Sequence, residues 1–281
     1  VIKDSSGTDK GKIIREDNGT SGYYTVDNQG MMTIESGTIY NRTGKVPSGA
    51  SLIRNAGDGK EATLHISGGN IGQDGFIAVK NDDYGILKVT GGKIWAKDEV
   101  QGSRVSAVQN WSSAEISDGT LEGALWTSVW SKDLPASKTT VSGKAVIKGD
   151  IIVEPYDKSL NINPELHITG GTIYSKDYEW VVKNGGKVVA SGGVFDEELP
   201  KEYCAEGFAP EKNAEGNWEV KELKIAAIGD TTYGTLEKAI QASHAGDTIT
   251  LLDHVTLKDR LNINKAITLD IGNYTVTGLS L

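Results

Sequence analysis

Along the chain, short apolar alternations recur, each closed by a glycine corner, and the repeats carry no apolar spacing of the helical kind. The recurring core reads apolar-x-[Gly/Ser/Asp]-Gly-x-apolar. It occurs as Ile34-Glu35-Ser36-Gly37-Thr38-Ile39, Ile66-Ser67-Gly68-Gly69-Asn70-Ile71, Val89-Thr90-Gly91-Gly92-Lys93-Ile94 and Ile116-Ser117-Asp118-Gly119-Thr120-Leu121. A degenerate copy, Val141-Ser142-Gly143-Lys144-Ala145-Val146, precedes Ile168-Thr169-Gly170-Gly171-Thr172-Ile173 and Ala190-Ser191-Gly192-Gly193-Val194-Phe195. Subtracting the first positions (34, 66, 89, 116, 141, 168, 190) gives spacings of 32, 23, 27, 25, 27 and 22.

A second ladder runs in phase: Val26-Asp27-Asn28, Ile53-Arg54-Asn55, Val79-Lys80-Asn81, Val108-Gln109-Asn110 and Val182-Lys183-Asn184. Asparagine tolerates the backbone of a sharp corner, and stacked amides donate and accept along one axis. The fifth coil departs, with Val153-Glu154-Pro155-Tyr156 in place of the asparagine. Repeats of this length without hairpin turns predict an all-β fold, a right-handed parallel β-helix of about seven coils. At one strand spacing per coil the rod would be about 34 Å long.

The pattern changes after Phe195. The predicted organisation is a β-helix over 1–200, a capping hairpin and linker over 201–222, and the start of a second β-helix over 223–281. Within the hairpin, Asn213-Ala214-Glu215-Gly216 reads as the turn, and the segment is expected to cover the open end of the rod. In the last module 235–244 reads as a short helix, with Thr235 as N-cap and Leu236, Ala239 and Ile240 on one face. A helix leading through Gly246-Asp247-Thr248-Ile249 into strands resembles the cap and first rung of pectin-lyase-like β-helices.

Charge narrows the partners. The net charge is −9 and the basic residues are scattered, so a phosphate-binding stripe, and with it nucleic acid, is not expected. The single cysteine, Cys204, leaves no intramolecular disulfide. No apolar run is long enough to span a membrane. The start carries no signal peptide and the end falls within a strand-like pattern, Tyr274-Thr275-Val276-Thr277, so a fragment of a longer protein is expected.

The chain resembles the β-helix repeat regions of large surface proteins from gut-dwelling Gram-positive anaerobes. The resemblance is carried by Ser191-Gly192-Gly193-Val194-Phe195, Tyr203-Cys204-Ala205-Glu206-Gly207-Phe208 and Asn217-Trp218-Glu219-Val220. It continues through Ile228-Gly229-Asp230-Thr231-Thr232-Tyr233-Gly234-Thr235-Leu236-Glu237-Lys238-Ala239-Ile240. It spans about 190–257; the earlier coils match only as generic repeats. It implies a secreted, cell-wall-linked, multi-module protein displaying binding surfaces, some members of the group binding host immunoglobulins or other glycoproteins. No sortase motif is visible, so anchoring follows from the resemblance alone.

Catalytic chemistry would make its own demands on the sequence. Glycoside hydrolysis needs two spaced carboxyl groups, and a calcium-dependent lyase needs a carboxylate cluster with a base. The one suggestive pair in the coils is Asp82-Asp83, on a corner that other coils fill with Gln29, Ala56, Trp111 or Gly185; a solvated turn is the plainer reading. His65 and His167 share one outward repeat position four coils apart, about 19 Å at one strand spacing per coil, too far to share a metal. Cys204 reads as a packed thiol. No catalytic residue, metal or cofactor is expected.

The tryptophans point to binding. Four of the six, Trp95, Trp111, Trp126 and Trp130, lie between 95 and 130. The position after each inward residue of the glycine corner should face outward, and reads Tyr40, Gly72, Trp95, Glu122, Ile147, Tyr174 and Asp196. Tyr40, Trp95, Trp111, Trp126, Trp130 and Tyr174 are therefore the candidate ligand-binding residues, able to stack on sugars or anchor a protein. Alternatively the loop carrying Trp126 and Trp130 folds back over its neighbours. The leading expectation is a monomeric, non-enzymatic adhesin for a host glycoprotein, immunoglobulin included, or a glycan. A passive spacer and a polysaccharide lyase or hydrolase are the alternatives.

Overall fold

A computed structural model of the chain describes residues 1–8, 10–16, 24–41, 51–57, 59–97 and 105–278. It divides into two compact units, 1–198 with 212–219, and 199–211 with 220–281. The first is a parallel β-solenoid of about six turns. Seven glycine corners bound six full turns, which accounts for the difference from the coil number expected.

Each turn supplies three strands. The first face contains Met31–Ile34, Ala62–Ile66, 85–89, 113–116, Lys138–Val141, Glu165–Ile168 and Lys187–Ala190. Beyond the glycine corner, the second face runs from Lys12–Arg15 and Thr38–Asn41 to Thr172–Tyr174 and Val194–Phe195. The third face is a separate sheet from Val26–Asn28 through Ile53–Asn55, Ile77–Asn81, Ser106–Asn110, Ala124–Thr127 and Ile151–Val153 to Trp180–Val182. Parallel pairing follows because each strand meets its equivalent one turn later.

The two apolar residues of each repeat point inward. Ile34, Ile66, Val89, Ile116, Val141, Ile168 and Ala190 stack on the first face, and Ile39, Ile71, Ile94, Leu121, Ile173 and Phe195 on the second, all buried. The glycine between them is a steric requirement. Gly92 has φ +84°, and a Cβ there would meet the backbone of Gly68 at 2.7 Å and Gly69 at 2.8 Å. Stacked corners leave no room for a side chain.

The degenerate copy is one residue longer in its corner. Register pairs Leu121 with Ile147 and Ile147 with Ile173, so Ile147 faces the core and Lys148 takes the outward place expected for Ile147. The extra residue shifts the alternation by one, which reverses every side chain after it.

The asparagine ladder is continuous over four coils. Asn28 Nδ2 donates to Asn55 Oδ1 at 2.7 Å, Asn55 to Asn81 at 2.7 Å, and Asn81 to Asn110 at 2.8 Å. Asn110 then donates to Thr139 Oγ1 at 2.9 Å, and Thr139 bonds Thr127, whose register is the next rung. Asn184 is not a member. Val182 occupies the ladder register, two residues earlier, while Asn184 sits exposed in a turn at φ +54°.

At the last coil, Trp218 pairs antiparallel with Phe195, so the parallel stacking ends there. In the second unit, Thr248–Leu251 pairs parallel with Thr268–Asp270, and Val255–Leu257 with Val276–Gly278. The helix runs Leu236–Ala242, shorter than 235–244, with Thr235 Oγ1 accepting from Lys238 N at 3.1 Å. Lys265 Nζ ends it by donating to the carbonyls of Ile240, Gln241 and Ser243 at 3.2, 2.8 and 2.6 Å. Leu236, Ala239 and Ile240 pack on Ala226, Ile249, Leu251 and Val255.

Candidate binding surface

On the third face, alternation turns one residue per coil outward: Asp27, Arg54, Lys80, Gln109, Trp126, Ile152 and Val181 in consecutive register. The segments that leave this face, rather than the strands themselves, supply the residues that cover it. Trp111 follows Asn110 as Asp82 follows Asn81, and its backbone N–H donates to Asn81 O at 2.7 Å. The next two coils add Trp130 and Tyr156, the latter placed by its N–H on Val129 O at 2.8 Å.

These rings meet. Trp111 lies 6.2 Å from Trp130 and 5.7 Å from Tyr156 between centroids, and Tyr156 lies 6.4 Å from Trp126. Interplanar angles of 32–58° give a faceted patch instead of one flat stack. Trp126 is only 2% exposed and works as a floor, whereas Trp130 at 44% and Tyr156 at 63% face solvent. Trp126 stands on the strand Ala124–Thr127 and not in a loop that folds back; Tyr156 from the following coil lies against it, while Trp130, beyond the strand, faces solvent. Burial takes Trp126 off the set of residues a ligand can touch.

An ionic network borders the patch. Asp82, 6% exposed, accepts from Arg54 Nε at 3.1 Å and Lys80 Nζ at 3.0 Å; Arg54 also reaches Asp27 at 3.6 Å. The Lys80 ammonium stands 4.0 Å over the Trp111 ring, a cation–π contact. Asp83 Oδ1 accepts from Trp130 Nε1 at 2.6 Å. Burial alone would raise the Asp82 carboxyl, but Lys80 and Arg54 outweigh it and hold it below its ordinary value. Asp83 moves the other way: burial, then the Asp82 charge, pushes it up against the Trp130 N–H.

The second face is different. Its outward row is Tyr40, Gly72, Trp95, Glu122, Lys148 and Tyr174. Trp95 lies flat over Gly72, where a Cβ would come within 2.2 Å of the ring, and its N–H donates to Asn70 Oδ1 at 2.9 Å. Tyr40 and Trp95 are half-buried. Tyr174, 39% exposed, is three coil steps from Trp95, with Lys148 at 5.2 Å from its ring. Thus the structure gathers Trp111, Trp126 and Trp130, and leaves Tyr40, Trp95 and Tyr174 as a broken row.

Tyr156 was missed by the sequence reading. Its signal was present as the break in the asparagine ladder, where a coil without the amide leads into a longer loop. Asp83 was noted only as half of an acidic turn, because its contact with Trp130 joins residues 47 apart.

The remaining candidates have local partners. His65 Nε2 pairs with Thr90 Oγ1 and His167 Nε2 with Glu165 Oε2, both at 2.8 Å. Cys204 lines a cleft of about 310 Å³ in the second unit with Phe208, Leu236, His254 and Lys258, and burial pushes its thiol up, away from the reactive thiolate. Compared with known protein families, curated proteins and solved structures, the chain matches none.

Proposed function

We propose that this chain is a non-enzymatic binding module of a bacterial surface protein, with its ligand face at Trp111, Trp130 and Tyr156. The observation that carries the reading is the solvent-facing cluster itself. Exposed aromatic side chains of this size are costly to hydrate, and clustered ones mark places where a partner sits. The resemblance of the 190–257 segment to surface proteins of gut Gram-positive anaerobes supports surface display. It also supports host glycoproteins, immunoglobulins among them, or glycans as partners.

Hydrolysis or elimination is a weaker reading of the same corner. Asp82 is neutralised by Arg54 and Lys80, so Asp83 has no free second carboxylate beside it for a two-carboxylate mechanism.

The test is binding of the purified chain to arrays of host glycoproteins, including immunoglobulins, and of glycans. Saturable binding lost in Trp130→Ala and kept in Trp95→Ala supports this face. Silence on both arrays from a folded protein removes the reading and favours a spacer.

A further inference from the structure

The geometry of the cluster also constrains what kind of ligand fits it. Trp130 is held at its nitrogen edge by Asp83 and leans on Trp111, so its exposed face is already ordered. An ordered ring loses little rotamer freedom when a ligand stacks on it. Pyranose rings present a face of C–H groups suited to an aromatic surface, edged by hydroxyls that need acceptors. Asp83 supplies such an acceptor at the edge of the stacking ring. A carboxylate offers about four lone-pair sites, and the Trp130 N–H takes one of them.

Charge selects further. The two cations of the corner are engaged: Arg54 with Asp82 and Asp27, and Lys80 with Asp82 and the Trp111 ring. Neither is free to neutralise an acidic sugar. The exposed Lys132 and Lys158 near Trp130 and Tyr156 each adjoin an exposed aspartate, Asp133 and Asp157, and Asp83 at the ring edge would repel such a sugar. Lys80 already occupies the cation-binding face of Trp111, and it opposes a second cation there.

We propose that Trp130, Tyr156 and Asp83 form a subsite for an uncharged hexopyranose residue of a glycan, stacked on the aromatic faces with hydroxyls donating to Asp83. This rests on the binding-module reading above and narrows it.

The experiment titrates the full 281-residue chain against four sets of immobilised probes. These are N-acetyllactosamine and mannobiose, their sialylated or sulfated forms, a chitosan oligosaccharide, and deglycosylated immunoglobulin G. Variants are Trp130→Ala, Trp130→Phe, Asp83→Asn and Trp95→Ala, each checked for native circular dichroism. The expected result is binding of an uncharged probe, lost in Trp130→Ala and partly kept in Trp130→Phe. Asp83→Asn should weaken it by about tenfold or more, the worth of a hydrogen bond to a charged acceptor. Trp95→Ala should leave it unchanged.

Preference for a sialylated, sulfated or chitosan probe overturns the subsite, as does full affinity in Asp83→Asn. Binding confined to deglycosylated immunoglobulin and lost in Trp130→Ala also overturns it, while leaving the binding module standing. Silence on every probe overturns both.

Discussion

Replacing Asn81 with leucine removes one rung of the amide ladder while keeping the number and branching of its side-chain heavy atoms. Asn81 is fully buried. Its Nδ2 donates to Asn110 Oδ1, Gly85 O and Ser113 O at 2.8, 3.0 and 2.8 Å, and its Oδ1 accepts from Asn55 at 2.7 Å. These four contacts, shared among two amide hydrogens and one oxygen and so worth about three full hydrogen bonds, go at once. Asn55 keeps its bonds to Ala62 O and Ile86 O, and Asn110 Oδ1 keeps the Ser112 N–H, so part of the loss is absorbed. At about 1 kcal/mol net per bond, with the remaining partners as partial compensation, the expected destabilisation is about 3 kcal/mol. All six tryptophans belong to the first unit, so their fluorescence in urea reports on the solenoid without the second unit. The midpoint should fall with an unchanged slope. Asn184→Gly is the control: that residue lies outside the ladder at φ +54°, where glycine is at ease, and it gives up one long hydrogen bond to Glu154 at 3.4 Å, so it should cost under about 1 kcal/mol. An Asn81→Leu midpoint within experimental error of the original, or an equal loss in Asn184→Gly, would refute the ladder as a source of stability.

Other consequences are equally direct. Gly92→Ala places a Cβ against the backbone of the previous coil and should cost well over the roughly 1 kcal/mol of positive φ alone, measured by Gly216→Ala, where nothing lies within 4 Å. Lys265→Met removes three bonds to the end of the short helix; hydrogen exchange at 236–242 should accelerate while tryptophan fluorescence in urea stays the same. The two neighbouring carboxylates should respond to pH with opposite sign. Asp83 has a raised folded pKa, so the folded state binds its proton more tightly and stability falls as pH rises from the unfolded value of about 3.9 through the folded one. Asp83→Asn, which still accepts from Trp130, should therefore stabilise at pH 7 and be neutral in acid. Asp82 has a lowered folded pKa, so it contributes stability above the unfolded value that is lost as pH falls through the folded one. Asp82→Asn should destabilise by about 3 kcal/mol at pH 7, with the gap closing in acid, because Arg54 and Lys80 lose their counter-charge. Urea titrations at the two pH values decide both.

Much of the fold was legible in the chain because solenoid order is local and periodic. One apolar residue on either side of a glycine sets both inward directions, and the repeat spacing sets which strands meet. The first four asparagines could be aligned by eye for the same reason. Failures came where the count changed by one or two. Val146 and Ile147 look equally inward until pairing with Leu121 and Ile173 selects Ile147, and Asn184 imitates the ladder two residues out of register. Alternation alone does not reveal an inserted residue; only the partner strand does.

The binding surface divides along the same line. Composition marked Trp111, Trp126 and Trp130 as unusual, and the loop between coils marked where they could gather. Which ring is floor and which faces solvent, and that Tyr156 and Asp83 join them, was settled by contacts between successive coils. Trp130 reaches back 47 residues to Asp83, a distance in sequence that becomes a hydrogen bond only once the solenoid has stacked. Backbone periodicity is written into neighbouring residues, but side-chain company at a corner depends on how loops of unequal length fold across several turns.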